Sequence, residues 1–289
     1  SPFTIHHSPF TIHYSPFTAF VLITISLITN HCLYAGWGKQ TVDSAGDVGY
    51  YTSIAVATDG SGNPYIAYHD NTSRDLKYAK WTGYSWSIQT VDSAGDVGYY
   101  ASILIDVSGN PHISYCDGTN YDLKYASWSV ATGWLIQTLG TAGEYTSIAI
   151  DDSENLYIAY YDKTNYDLKY ASWSVTAGWS TQTVDSAGSV GKYTSIAIDG
   201  SKNPHIAYYD ETNFALKYAS WSVTAGWSTQ TVDSAGNVGQ YTAIAIDGSG
   251  NPYIAYYDNT NSDLKYAKWT GFSWSIETVD SVDDTGQYT

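Results

Sequence analysis

Six tryptophans, Trp37, Trp86, Trp134, Trp179, Trp227 and Trp274, open near-identical segments spaced 45 to 49 residues apart. The copy starting at Trp227 reads WSTQTVDSAGNVGQYTAIAIDGSGNPYIAYYDNTNSDLKYAKWTGFS. A period in the forties, dense in strand formers and broken by Gly, Asn and Asp, fits one four-stranded sheet per repeat, the unit of a β-propeller. One such sheet cannot bury its faces alone, so successive copies must pack against each other. A parallel β-helix is the main rival. Its coils are only about half this length, and the tight DGSGNP turn calls for antiparallel hairpins.

The fourth copy shows the pattern. Tyr193–Asp199 alternates Ser195 and Ala197 with Ile196 and Ile198 and reads as the innermost strand, its small face suited to the crowded centre of a ring. Gly200–Pro204 is a turn, and Pro204 stands where a strand begins and needs no amide donor. His205–Asp210, Leu216–Trp221 and Trp227–Asp233 follow as second, third and outer strands. The first three occur five times, whereas the outer strand occurs six times because Trp37–Val42 supplies one ahead of the first blade. The expected fold is all-β: a β-propeller of four-stranded antiparallel blades, five complete plus an extra outer strand, with six or more blades in the intact protein.

Residues 1–36 stand outside the repeat and 37–289 form the propeller domain. The tandem SPFTIHH, SPFTIHY and SPFTAFV leads into the apolar run Ala19–Thr29, which resembles the h-region of a signal peptide, with Ala35-Gly36 as small residues for cleavage. The run lacks a basic segment before it, and it falls short of the about 20 apolar residues of a membrane span. The expectation is a leader followed by a secreted or cell-surface domain that does not insert into a membrane. With 28 acidic residues against 12 basic ones and a net charge of −16, the surface repels phosphate backbones, so nucleic acid is excluded as a partner. Cys116 is the only cysteine of the repeats, which leaves no disulfide there.

All 11 tryptophans fall on two repeat positions, the six above and Trp81, Trp128, Trp173, Trp221 and Trp269. Blade packing explains them, and sugar stacking is the sharper alternative. Lys77, Lys124, Lys169, Lys217 and Lys265 recur in Leu-Lys-Tyr and suit structural ion pairs. The candidate ligand-binding residues are Asp70, Asp117, Asp162, Asp210 and Asp258, which end the second strands, with the adjacent Tyr161, Tyr209 and Tyr257. Their loops share a face with the VDSAG-x-VG connections between blades. Asx-turn capping accounts for these carboxylates without a ligand, while carbohydrate recognition and weak Ca2+ binding are the ligand readings. No DxDxDG loop is present, and no metal ligand or other cofactor is assigned. Near-identical blades also repeat one environment, whereas a glycosidase needs two carboxylates in distinct ones, so no catalytic residue is assigned. Symmetry breaks most clearly in the shortened Leu139–Glu144 connection and the Asp151–Glu154 turn, making Glu144 the candidate acid under a hydrolase reading.

IAIDGSGNPYIAYYDNTNSDLKYAKW resembles the blades of secreted bacterial and archaeal β-propeller repeat proteins, loosely grouped with sialidase-like propellers. The resemblance covers Trp37 to the C-terminus and implies the fold and an extracellular or surface location. Sialidase chemistry is not implied, because its arginine triad cannot be built from Arg74 alone. The functional expectation is a non-catalytic, lectin-like module with repeated weak carbohydrate sites on its loop face and a cell-surface glycan as partner. The alternative is an adhesion or filament-forming repeat protein that self-associates through its unpaired outer strand, and a glycoside hydrolase comes third.

Overall fold

The computed structural model describes residues 39–57 and 60–287. The expected leader, with Trp37 and Gly38, lies outside the described residues; 39–42, the rest of the expected extra outer strand, is described and forms no strand. Within the unit Val42–Thr289, twenty strands form five four-stranded antiparallel sheets in simple sequential order, and the sheets are the blades of a β-propeller. The blades span 48–92, 97–140, 143–185, 190–233 and 238–280. In the fourth, the strands are Val190–Ile198, Pro204–Asp210, Ala215–Ser222 and Gly226–Asp233, close to the sequence expectation. Pro204 does open its strand, where its missing amide costs no ladder bond.

The alternation on the inner strand acquires a concrete purpose. Ile196 joins a core with Tyr157, Tyr170 and Tyr208 at the junction of the third and fourth blades. Ser195, on the other face, turns its Oγ to the next blade and accepts the amide of Ile244 at 3.1 Å. Ser53, Ser102 and Ser147 do the same for Ile103, Ile148 and Ile196. A larger residue there would hold the inner strands apart. The glycine of each blade connection meets a similar limit: a Cβ on Gly239, at φ +98°, would lie 2.6 Å from the Leu216 Cα of the preceding blade.

The outer-strand tryptophans clamp neighbouring blades. Trp134, Trp179 and Trp227 donate their indole N–H to Gln89, Gln137 and Gln182 of the blade before, at 3.1, 3.0 and 3.3 Å. Each indole meets a Tyr of that blade edge-on, Tyr78, Tyr125 and Tyr170, at centroid distances of 5.1 to 5.3 Å. Packing therefore accounts for this set of tryptophans.

A polar latch closes each junction except one. The carboxylate ending an outer strand accepts a Tyr hydroxyl and a Lys ammonium from the next blade: Asp92 from Tyr115 and Lys124, Asp185 from Tyr208 and Lys217, Asp233 from Tyr256 and Lys265. Asp43 likewise receives Tyr68 at 2.7 Å. Gly140 takes this position ahead of the third blade, opposite Leu123 just as Asp233 stands opposite Leu216. Space beside Gly140 is open, and its backbone is not left-handed. Gly140→Asp should therefore build the missing latch with Tyr160 and Lys169. We expect it to stabilise the protein by about 1 kcal/mol, from a new charge-assisted hydrogen bond and the loss of a strand glycine. Thermal unfolding checks this, and an unchanged or lowered midpoint contradicts it.

Among the described residues, the outward face of the first blade stays uncovered. Ile54 and Val56 of the first blade are 64% and 55% exposed, whereas the equivalent Ile103 and Ile105 are 6% and 7% exposed against the preceding blade.

Candidate functional site: repeated pockets between blades

The second strands deliver Asp70, Asp117, Asp162, Asp210 and Asp258 to their turns, but each carboxylate is turned inward and is at most 4% exposed. Asp162 accepts the amides of Thr164 and Asn165 and the Asn165 side chain, all at 2.9 to 3.1 Å. Lys169 of the next strand lies 3.1 Å away, and Lys77 pairs with Asp70 at 2.9 Å in the same way. Burial works to raise the Asp70 pKa, yet hydrogen bonds from Lys77 and the turn outweigh it and pull the carboxyl down to about 2. These aspartates cap hairpins and fix the Leu-Lys-Tyr lysines.

Tyr161, Tyr209 and Tyr257 are also buried, and their hydroxyls tie down the segment that follows the outer strand of their blade: Tyr209 donates to Asn237 at 2.7 Å and Tyr257 to Asp284 at 2.8 Å. His69 and Cys116 take the same place in other blades, the thiol pushed up to about 12 by burial. The eight residues singled out by sequence thus support the loop face from beneath. Glu144 is ion-paired with Lys163 at 2.7 Å on that same face. Among the described residues, no group of three or more His, Cys, Asp or Glu side chains is placed to hold a metal ion.

A second element of this face was missed. Tyr51, Tyr100, Tyr145, Tyr193 and Tyr241 follow one another around the axis at centroid distances of 4.3 to 4.8 Å. All five have a left-handed backbone, φ 50° to 53°, at a cost on the order of 1–3 kcal/mol each. Threonines of the next blade hold the peptides there: Thr146 donates to the Tyr100 carbonyl at 2.8 Å and Thr242 to that of Tyr193 at 2.6 Å. Burial drives the Tyr100 and Tyr145 pKa values well above the ordinary phenol range, so the hydroxyls stay neutral around a concavity of about 190 Å3.

Three larger or comparable pockets open at the opposite end of the blades, near the turns joining first and second strands. They recur at equivalent places. The one between the second and third blades is about 270 Å3 and is lined by His112, Tyr125, Gln137, Glu154 and Trp173 among others. Between the third and fourth, Tyr170, Gln182, Lys202 and Trp221 enclose about 240 Å3. Between the first and second, Tyr78, Lys80, Gln89 and Trp128 enclose about 150 Å3. Each wall combines a half-buried third-strand tryptophan with a Tyr and a Gln of the preceding blade. The volumes lie below the about 300 Å3 at which pockets for drug-sized molecules begin, which suits one small ring. The sequence signal was the second Trp position, distinct from the clamping one.

In the largest of these three pockets His112 sits between Tyr125 and Asp106, whose carboxylate is 3.3 Å from Nε2. Burial lowers the His112 pKa despite Asp106 beside it, so the imidazole is neutral at neutral pH. A tautomer with the proton on Nε2 satisfies both partners, with the phenol donating to Nδ1. Burial would raise the Asp106 pKa, but Asn110 and His112 hold it below the ordinary carboxylate range.

No protein-family model matches this chain, and no curated protein matches it by sequence. Solved structures do. A variant of AofleA from Arthrobotrys oligospora in which three arginines are replaced by alanine superposes with a TM-score of 0.61 at 14% identity, over 86% of this chain and 78% of the other. An Aleuria aurantia lectin variant in complex with α-methyl-L-fucoside gives 0.56 at 16% identity, over 80% and 77%. The exo-β-1,3-galactanase of Phanerochaete chrysosporium with galactose gives 0.52 at 14% identity, over 87% and 69%. At these identities the likeness is one of fold, and it spans both lectins and carbohydrate-active enzymes.

Proposed function

We propose that this propeller is a non-catalytic carbohydrate-binding module whose sites are the pockets between blades. The recurrence of the pocket carries the reading. At three successive junctions the same side chains form an indole platform with an amide and hydroxyls at its edge. The C–H face of a pyranose matches an indole face, and its hydroxyls match Gln and Ser. Equivalent sites on successive packed blades gain avidity on a multivalent glycan, so each can be weak. The fold likeness to structures solved with α-methyl-L-fucoside and with galactose supports this reading, and a secreted or cell-surface location is part of the same proposal. Calorimetric titration with methyl glycosides of fucose, galactose, glucose and mannose tests it: saturable binding of at least one is expected, and none at tens of millimolar would overturn it.

The uncovered Ile54–Val56 face favours a second reading, self-association. Light scattering should then show assembly that Val56→Lys abolishes. A protein monomeric at all accessible concentrations contradicts it.

A further inference from the structure

The three pockets share aromatic walls but differ in charge, and one turn position sets much of the difference. The residue before the turn Asn is Gly62, Gly109, Glu154, Lys202 and Gly250 in the five blades. Its backbone is left-handed throughout, with φ of 65°, 82°, 61°, 67° and 82°. Glycine adopts that conformation freely, whereas a residue with a Cβ is strained there. Two blades nonetheless carry a charged side chain at this place, and both side chains line a pocket.

The signs are opposite. Glu154 joins the Asp106–His112 pair around the largest pocket, where the neutral imidazole adds no positive charge. Lys202 lines the pocket between the third and fourth blades, its ammonium hydrogen-bonded to Ser153. Lys80 lines the one between the first and second, 5.0 Å from the Tyr65 ring centroid. A sugar bearing an ammonium group would find carboxylates and the Trp173 indole in the first, and like charge in the other two.

We propose that the pocket between the second and third blades selects a protonated amino sugar, and that Lys80 and Lys202 exclude it from the neighbouring pockets. This deepens the carbohydrate-binding reading and rests on it. The test compares methyl glucosaminide and methyl galactosaminide with methyl glucoside and methyl galactoside, which carry a hydroxyl in place of the ammonium. Titration of the whole protein at neutral pH should show at least one amino glycoside bound about tenfold tighter than its hydroxyl counterpart, a difference of about 1.4 kcal/mol. Glu154→Gly should collapse that ratio to near one. The same change relieves the left-handed strain, so a melting temperature equal to or above that of the parent separates lost selectivity from lost fold.

If neutral glycosides bind but the amino forms bind no tighter, or if the ratio survives Glu154→Gly, the proposal falls and the carbohydrate-binding reading stands. If no glycoside of either kind binds, both fall. General attraction of cations to the acidic surface would leave the ratio intact in Glu154→Gly, since one carboxylate among 28 acidic residues is removed.

Discussion

Asp233→Ala is expected to destabilise the protein by about 1–3 kcal/mol, the cost of leaving a buried hydrogen-bond donor unsatisfied and weakening an ion pair. Asp233 is 5% exposed and lies 2.7 Å from both the Lys265 ammonium and the Tyr256 hydroxyl of the next blade. Removing the carboxylate leaves the buried Tyr256 phenol without its acceptor and the Lys265 ammonium with only Asp258, 3.6 Å away. The loss should be pH-linked. Burial alone would raise the Asp233 pKa, but the hydrogen bonds from Lys265, the Ala235 amide and Tyr256 lower it below its ordinary value of 3.8. A depressed carboxyl contributes its stability above the unfolded-state pKa and loses it as pH falls through the folded value. The gap between parent and variant should accordingly be full at pH 6 and narrow below pH 4. Urea unfolding at the two pH values measures it, and a gap under 1 kcal/mol at pH 6 would show that the latch is not what joins the blades.

Trp173→Ala should lower glycan affinity at its pocket by about 2 kcal/mol, roughly thirtyfold, as expected for an aromatic anchor at the centre of a small site. The triple change Trp128→Ala, Trp173→Ala and Trp221→Ala should abolish binding to a multivalent glycan, because avidity requires more than one occupied site. These indoles are only half-buried, so the variants should stay folded. Trp227→Ala makes the contrast. That indole bridges Gln182 and Tyr170, and its loss should lower stability before it touches binding. Equal glycan affinity in the triple variant and the parent contradicts the assignment of the sites.

The fold was legible because its determinants are local and repeated. The 45-to-49-residue period, the Ser/Ile alternation of Ser195–Ile198 and Pro204 at a strand start all report the blade directly. The site was less legible. Asp70 and its equivalents were conspicuous because they end strands beside polar turns, but whether such a carboxylate faces solvent or its own turn amides depends on lysines one strand away. The two tryptophan positions are distinct in sequence, but nothing there says which of them packs between blades. Only the neighbouring blade separates them, by offering Gln182 to Trp227 and an open pocket to Trp221. The left-handed tyrosines around the axis gave no signal at all, since nothing in a Tyr-Thr pair announces positive φ.

The most direct test is a crystal structure of the protein soaked with a methyl glycoside that binds it. Sugar density stacked on Trp128, Trp173 or Trp221 between adjacent blades is the expected result. Density confined to the tyrosines at the axis, with the pockets between blades unoccupied at saturating sugar, would contradict it.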